Sequence, residues 1–317
     1  MAVGIHQMCT LILPDGLVTH PSGHDSEANA PTPIANVGEG TSCISMVAEG
    51  ERMLLFVDDS AGTEGLASGR GGWRGADGDT SQQRLISSCL FCGALSYGQR
   101  LHHEHGFTPV YLRYNTGLHI SHNGQTLADM LHRLEALWPV PIHEIVLVGH
   151  SMGGLVTRSA CYYGEQQQHR WTEAVRHVVC LGSPHLGTHL EKGVHIASWA
   201  LARLPETRAV AGFLNARSAG IKDLRFGACI EDDWRDCDPD EFLQDRCQEV
   251  PFLPVAGYHF VSTTAAPPAV GRLVGDHLVR SHSACGRGNT RRIPFQPEHG
   301  LTLTGLHHFD LLNHPTI

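Results

Sequence analysis

The chemistry of this chain begins at Gly149-His150-Ser151-Met152-Gly153, which fits the pattern G-x-S-x-G. A serine hydroxyl can attack an acyl carbonyl only if its surroundings activate it, and the flanking residues supply a fitting context. Ile145, Val146, Leu147 and Val148 read as a short strand of a parallel sheet buried on both faces. Gly154, Leu155, Val156 and Ala160 read as a helix packing back on that strand. Turning from strand to helix in so few residues forces the central serine into a strained backbone, and its neighbours must be nearly without side chains. The Ser151 hydroxyl is then exposed at the carboxyl end of the sheet, with the Met152 N–H aimed where an oxyanion would form. A phosphate-cradling loop fits less well, because no Lys follows the glycines and G-x-G-x-x-G is not matched.

A serine nucleophile needs a base, and the base needs an acid to orient it. On the strand–turn–helix arrangement that carries G-x-S-x-G, the order along the chain is Ser, acid, His. Asp276, in a loop after a late strand, and His308, after the last strand, occur in that order. His307 and His314 compete with His308, and Asp223 and Asp310 compete with Asp276. Neighbouring side chains diverge, so only one of His307 and His308 can face Ser151. The run His102, His103, Glu104, His105 reads as a solvated loop, since consecutive residues do not converge on one ion.

The elements that must position these groups follow the rhythm of a doubly wound, mostly parallel α/β sheet. Met53 to Val57 is the first buried strand and Thr108 to Tyr114 the second. An amphipathic helix follows over Gln125 to Leu137, with Leu127, Met130, Leu131, Leu134 and Leu137 on one face and Pro139 and Pro141 as stops. Val175 to Leu181, Pro254 to Ser262 and Leu301 to Thr304 read as later strands. A helix within Ser81 to Leu101 is a weaker reading. Residues 1–50 read as a loose leader and 51–317 as one domain. Residues 189–247 break the rhythm, with helices at His189–Leu204 and Ser218–Leu224 and then an acidic loop. This insertion is expected to cap the substrate pocket.

Composition excludes several functions. The chain has 317 residues, with 23 Lys and Arg against 32 Asp and Glu, which argues against a dedicated nucleic-acid binder. The ten cysteines include Cys161 and Cys180, which read as small buried hydrophobes, and Cys229, Cys237 and Cys247, which could close at most one local bridge. Cys89 and Cys92 have C-x-x-C spacing without a second pair, so no metal site is expected. No signal peptide or long apolar span is evident, which suggests a cytoplasmic protein.

The tracts Val148 to Gly154, Gly182 to Thr188, Gly275 to Val279 and His308 to Leu312 resemble the α/β-hydrolase superfamily. The resemblance is to its bacterial lipase/esterase branch, which includes triacylglycerol lipases and GPI-inositol-deacylase-like hydrolases, and it covers about residues 106–317. It implies the α/β-hydrolase fold and a Ser151, Asp276, His308 triad, acting on small-molecule or lipid carboxylic esters without metal or organic cofactor. It also leaves room for transient membrane-surface contact. The chain departs from the branch in one place. Its members carry His-Gly after the first core strand, where a backbone N–H completes the oxyanion hole. Here Asp58 and Asp59 occupy that position. The departure motivates a second expectation, a hydrolase-fold binding protein with weak or no catalysis. Acyl transfer instead of hydrolysis would use the same triad.

Overall fold

The computed structural model describes residues 10–12, 50–57, 96–188, 218–235, 245–264, 278–288 and 291–317. Asp58, Asp59, Asp276, Cys89, Cys92, Cys237, the expected helix at 189–204 and most of the leader and acidic loop lie outside them.

Among the described residues, seven strands form one sheet: β1 (Thr10–Ile12), β2 (Arg52–Val57), β3 (Thr108–Arg113), β4 (Glu144–His150), β5 (Val175–Leu181), β6 (Gly257–Thr264) and β7 (Gly300–Thr304). Their spatial order is β1-β3-β2-β4-β5-β6-β7. Strands β2 to β7 pair in parallel, and β1 runs antiparallel on β3. The short apolar run at 10–12, inside the expected loose leader, is thus an edge strand.

The period-two alternation of side chains divides the apolar residues between two cores. Met53, Leu55, Val57, Ile145 and Leu147 face one core. Leu54 and Val148 face the other, with Phe56 and Val146 packed against it. Burial on both faces is the reason β2 and β4 read as unbroken apolar runs. The chief helices are α1 (Tyr97–His105), α2 (Ile120–Leu137) and α3 (Met152–Gln166). Helices α2 and α3 pack on the first core through Leu127, Leu131, Leu134, Leu155 and Val156. They approach closely: a Cβ on Gly124 of α2 would lie 2.1 Å from Ser159 Oγ on α3.

Helix α2 starts five residues before the boundary expected from its apolar stripe. Nothing local caps it, and His119 makes no side-chain capping bond. Its Ile120 N–H instead donates to Asp223 Oδ2 at 2.8 Å, from a residue 103 positions away. Asp223 closes the short helix α4 (Ala219–Asp223), within the expected Ser218–Leu224 segment. His119 Nδ1 lies 3.0 Å from the same carboxylate, and its ring stacks on the Trp234 indole at 3.7 Å. At the other end Leu137, expected on the core stripe, is 43% exposed. Strand β6 begins three residues after its expected start, because Leu253 to Ala256 form a turn closed by Ala256 N–H on the Leu253 carbonyl.

The described part of the insertion is built into the helical layer. Ala228, Cys229 and Ile230 are buried. Ser159 Oγ donates to the Cys229 carbonyl at 2.6 Å, and the Glu231 N–H donates to Tyr163 Oη at 2.9 Å. Asp233 accepts from the N–H groups of Cys229, Ile230 and Gln248. Residues 218–235 therefore clamp α2 to α3. Among the described residues no helix is long and apolar enough to cross a membrane.

Candidate active site

Ser151 sits where β4 gives way to α3, with φ 53° and ψ −122°. Only Gln168 among the other described non-glycine residues has positive φ. Such a backbone costs about 1–3 kcal/mol and persists only when its surroundings over-determine it. They do so here. The Ser151 N–H donates to the Leu181 carbonyl of β5 at 2.8 Å, and the Gly154 N–H donates to the Ser151 carbonyl at 3.2 Å. A Cβ on Gly149 would lie 2.5 Å from Gly154 Cα and 2.6 Å from the Gly153 carbonyl oxygen. A Cβ on Gly154 would meet Ser183 Oγ at 2.0 Å. The glycines are thus required by close approach on both sides of the turn. Ser151 remains partly exposed while Met152, the first residue of α3, is buried. The Met152 N–H is one of the donors that a helix leaves without an intrahelical acceptor.

His308 opens a 3-10 turn, His308–Leu312, that follows β7 and Gly305. It is 2% exposed, and its ring lies about 3.0 Å from where a Cβ on Gly182 would stand. Its ring centroid is 4.7 Å from that of His150, the residue before Ser151. His150 Nε2 donates to the His308 carbonyl at 3.2 Å. This 3-10 turn is therefore held against both the Ser151 turn, or elbow, and the end of β5. The other expected histidines go elsewhere. His307 is exposed, and its N–H donates to Asp310 Oδ2 at 2.7 Å. The His314 N–H and carbonyl both bond to Tyr97 Oη.

Both rival acids have other tasks. Asp310 caps the 3-10 turn, and Asp223 caps α2 and holds His119. Burial raises the Asp223 carboxyl above its ordinary range, against the opposing pull of His119.

Three residues that sequence reasoning gave no role organise this edge. His150 was visible only as the variable position of G-x-S-x-G, yet it contacts His308. Tyr97, at the start of α1, donates to the Leu311 and His314 carbonyls at 3.2 and 2.9 Å and latches the C-terminal turn. Nothing in the pattern around Tyr97 announces a partner more than 200 positions away. Burial pushes its phenol up to about 12, so the latch keeps its proton.

The third is His185, in the loop Gly182 to Thr188 that flanks the elbow. It is fully buried, and its Nδ1 lies 3.2 Å from Arg158 Nη1, so it accepts from the guanidinium. Arg291 Nη2 donates to the His185 carbonyl at 2.9 Å. Burial, then Arg158, then Arg291 hold the imidazole well below its ordinary 6.5. Below that pH the unfolded chain takes a proton here that the folded chain refuses. Stability from this residue is complete above 6.5 and falls as the pH drops below it. The loss between pH 6.5 and 5.5 is about 1 kcal/mol, integrated from the linkage slope. Urea unfolding of the wild type and of His185→Gln at the two pH values will show that increment in the wild type only.

The buried thiols near Arg158 are not nucleophiles. Burial pushes Cys161 and Cys180 up to about 12, and Cys229 is raised in the same way. Cys229 and Cys247 are both free. Among the described residues no group of three His, Cys, Asp or Glu side chains is arranged to hold a metal ion.

Residues 75–209 match the family model described as PGAP1-like alpha/beta domain. No curated protein matches the chain. Solved structures similar to it include the mature Bacillus licheniformis lipase BlEst2, at 16% identity and TM-score 0.45, covering 83% of this chain and 87% of that one. An α/β-hydrolase fold protein from Chitinophaga pinensis is 13% identical, with TM-score 0.37 and coverage of 86% and 87%. A Pyrobaculum calidifontis esterase is 13% identical, with TM-score 0.38 and coverage of 82% and 69%. The parallel sheet with the serine turn between β4 and α3 gives the chain the α/β-hydrolase fold, and residues 75–209 are similar to the PGAP1-like alpha/beta domain.

Proposed function

We propose that the protein hydrolyses carboxylic esters through Ser151, His308 and Asp276. The observation that carries the reading is the strained Ser151 turn with His308 buried against its neighbours, His150 and Gly182. Ser151 Oγ attacks the ester carbonyl as His308 takes the hydroxyl proton. Asp276 holds the His308 tautomer and steadies the imidazolium. The Met152 N–H, at the positive end of α3, stabilises the tetrahedral oxyanion. Collapse of the intermediate expels the alcohol, which receives the proton from His308 and leaves an acyl-Ser151. Water, deprotonated by the same histidine, then attacks the acyl-enzyme and releases the acid and the free serine.

Acyl or lipid-like esters are the favoured substrates, with the insertion supplying an apolar acyl pocket. The second oxyanion donor falls to the backbone after β2, at Asp58 and Asp59. Losing such a donor typically costs about 100- to 1000-fold in turnover. An acidic pair at this position is the one feature favouring the second reading, a hydrolase-fold binding protein.

A fluorophosphonate probe separates the two. Stoichiometric labelling of the wild type is expected, with none in Ser151→Ala and only traces in His308→Ala. A folded wild type that takes no label would remove the hydrolase reading and leave the binding protein.

A further inference from the structure

A second cluster of side chains lies on the sheet away from the elbow. Parallel pairing sets His177 of β5 opposite Gly257 of β6, and His259 of β6 opposite Val179. The two imidazoles meet over Gly257, with His177 Nδ1 3.0 Å from His259 Nε2. The glycine makes the room: a Cβ there would stand 3.2 Å from His259 Nε2 and 3.4 Å from His177 Nδ1. His299, at the end of the 3-10 turn Pro297–His299 before β7, stacks on His259 with centroids 4.6 Å apart.

We propose that His177 and His259 chelate a borderline divalent transition-metal ion, with His299 backing the His259 ring. Two imidazole nitrogens bound to a tetrahedral ion at about 2.0–2.1 Å stand about 3.3 Å apart, so the observed pair needs to open by only a few tenths of an ångström. In the free protein one of the facing nitrogens carries the proton of their mutual hydrogen bond. Binding moves that proton to the other nitrogen of the same ring, leaving both lone pairs on the metal and both rings neutral. Imidazole pairs suit Zn2+, Ni2+ and Cu2+, whereas Mg2+ and Ca2+ require oxygen ligands. Water completes the coordination on the open side, where His177 is exposed.

The site ties β5 to β6 four residues before the Leu181 end of β5, about 13 Å from that edge at ~3.3 Å per residue. It therefore acts on stability and not on the chemistry at Ser151. An ion bound only by the folded state raises Tm in proportion to the logarithm of its concentration.

The test uses the full chain without a histidine tag. Cu2+ titration followed by electron paramagnetic resonance should give a first equivalent with nitrogen hyperfine splitting from two imidazoles. Excess ZnCl2, but not MgCl2, should raise Tm. His177→Ala and His259→Ala should each weaken the first Cu2+ equivalent at least tenfold and abolish the zinc shift. His132→Ala, which disrupts another stacked histidine pair (His132–His169, 4.4 Å), should change neither. A first equivalent unaffected by His177→Ala and His259→Ala, or equally weakened by His132→Ala, would overturn the proposal. So would a wild type that binds no copper.

Discussion

Ser151→Ala will lower kcat for p-nitrophenyl butyrate by about four to six orders of magnitude, with little change in KM. His308→Ala will fall by a similar factor, and the double variant will be no slower than the worse single one. The non-additivity matters because the proposed mechanism makes nucleophile and base act as one unit. Once the proton acceptor is gone the hydroxyl is inert, so removing the hydroxyl as well costs nothing more. Additive losses would mean that the two residues work on different steps, which the proposed mechanism does not allow. Stability should separate cleanly from turnover. Ser151 holds φ 53° whatever its side chain, so alanine inherits the strain and Tm should barely move. Ser151→Gly relieves it, and a gain of about 1 kcal/mol is expected together with the same loss of turnover. A stabilised but inactive glycine variant would show that folding energy is stored at the nucleophile.

How much of this was legible in the residues depends on the range of the forces that set each feature. The β4–Ser151–α3 unit could be read directly, because its strand, its glycines and its helix are contiguous and each enforces the next. The place of His308 after the last strand was likewise open to reading, since it belongs to chain topology. The choice of His308 over His307 for the buried position was not, because two adjacent histidines differ only in which one faces Gly182 and His150. The start of α2 was missed for a related reason. Its capping group, Asp223, arrives from the insertion, and no local rule could count it. Val255 misled by its type. A β-branched residue suggested strand, but Pro254 and Val255 form an exposed turn, and β6 begins only where Gly257 pairs with His177. The Tyr97 latch was out of reach for the same reason as the Asp223 cap.

The second large effect falls on the turn itself. Gly149→Ala is expected to destabilise the protein by about 3 kcal/mol or more and to abolish activity in whatever fraction still folds. The added Cβ would stand 2.5 Å from Gly154 Cα and 2.6 Å from both the Gly153 carbonyl oxygen and the Gly154 nitrogen. All three are backbone atoms of the first turn of α3, so no side-chain rotation relieves the clash. The helix must move away from β4, and the Ser151 N–H then loses its hold on the Leu181 carbonyl. Gly305→Ala is the control. That glycine has φ 77°, but nothing lies within 4 Å of its would-be Cβ, so only the conformational penalty of about 1 kcal/mol applies. Urea unfolding of the two variants compares steric contact with backbone preference at glycines of the same domain. Equal losses would mean that the turn at Ser151 yields as easily as a surface loop, and that a strained, rigidly held Ser151 is no basis for the proposed mechanism.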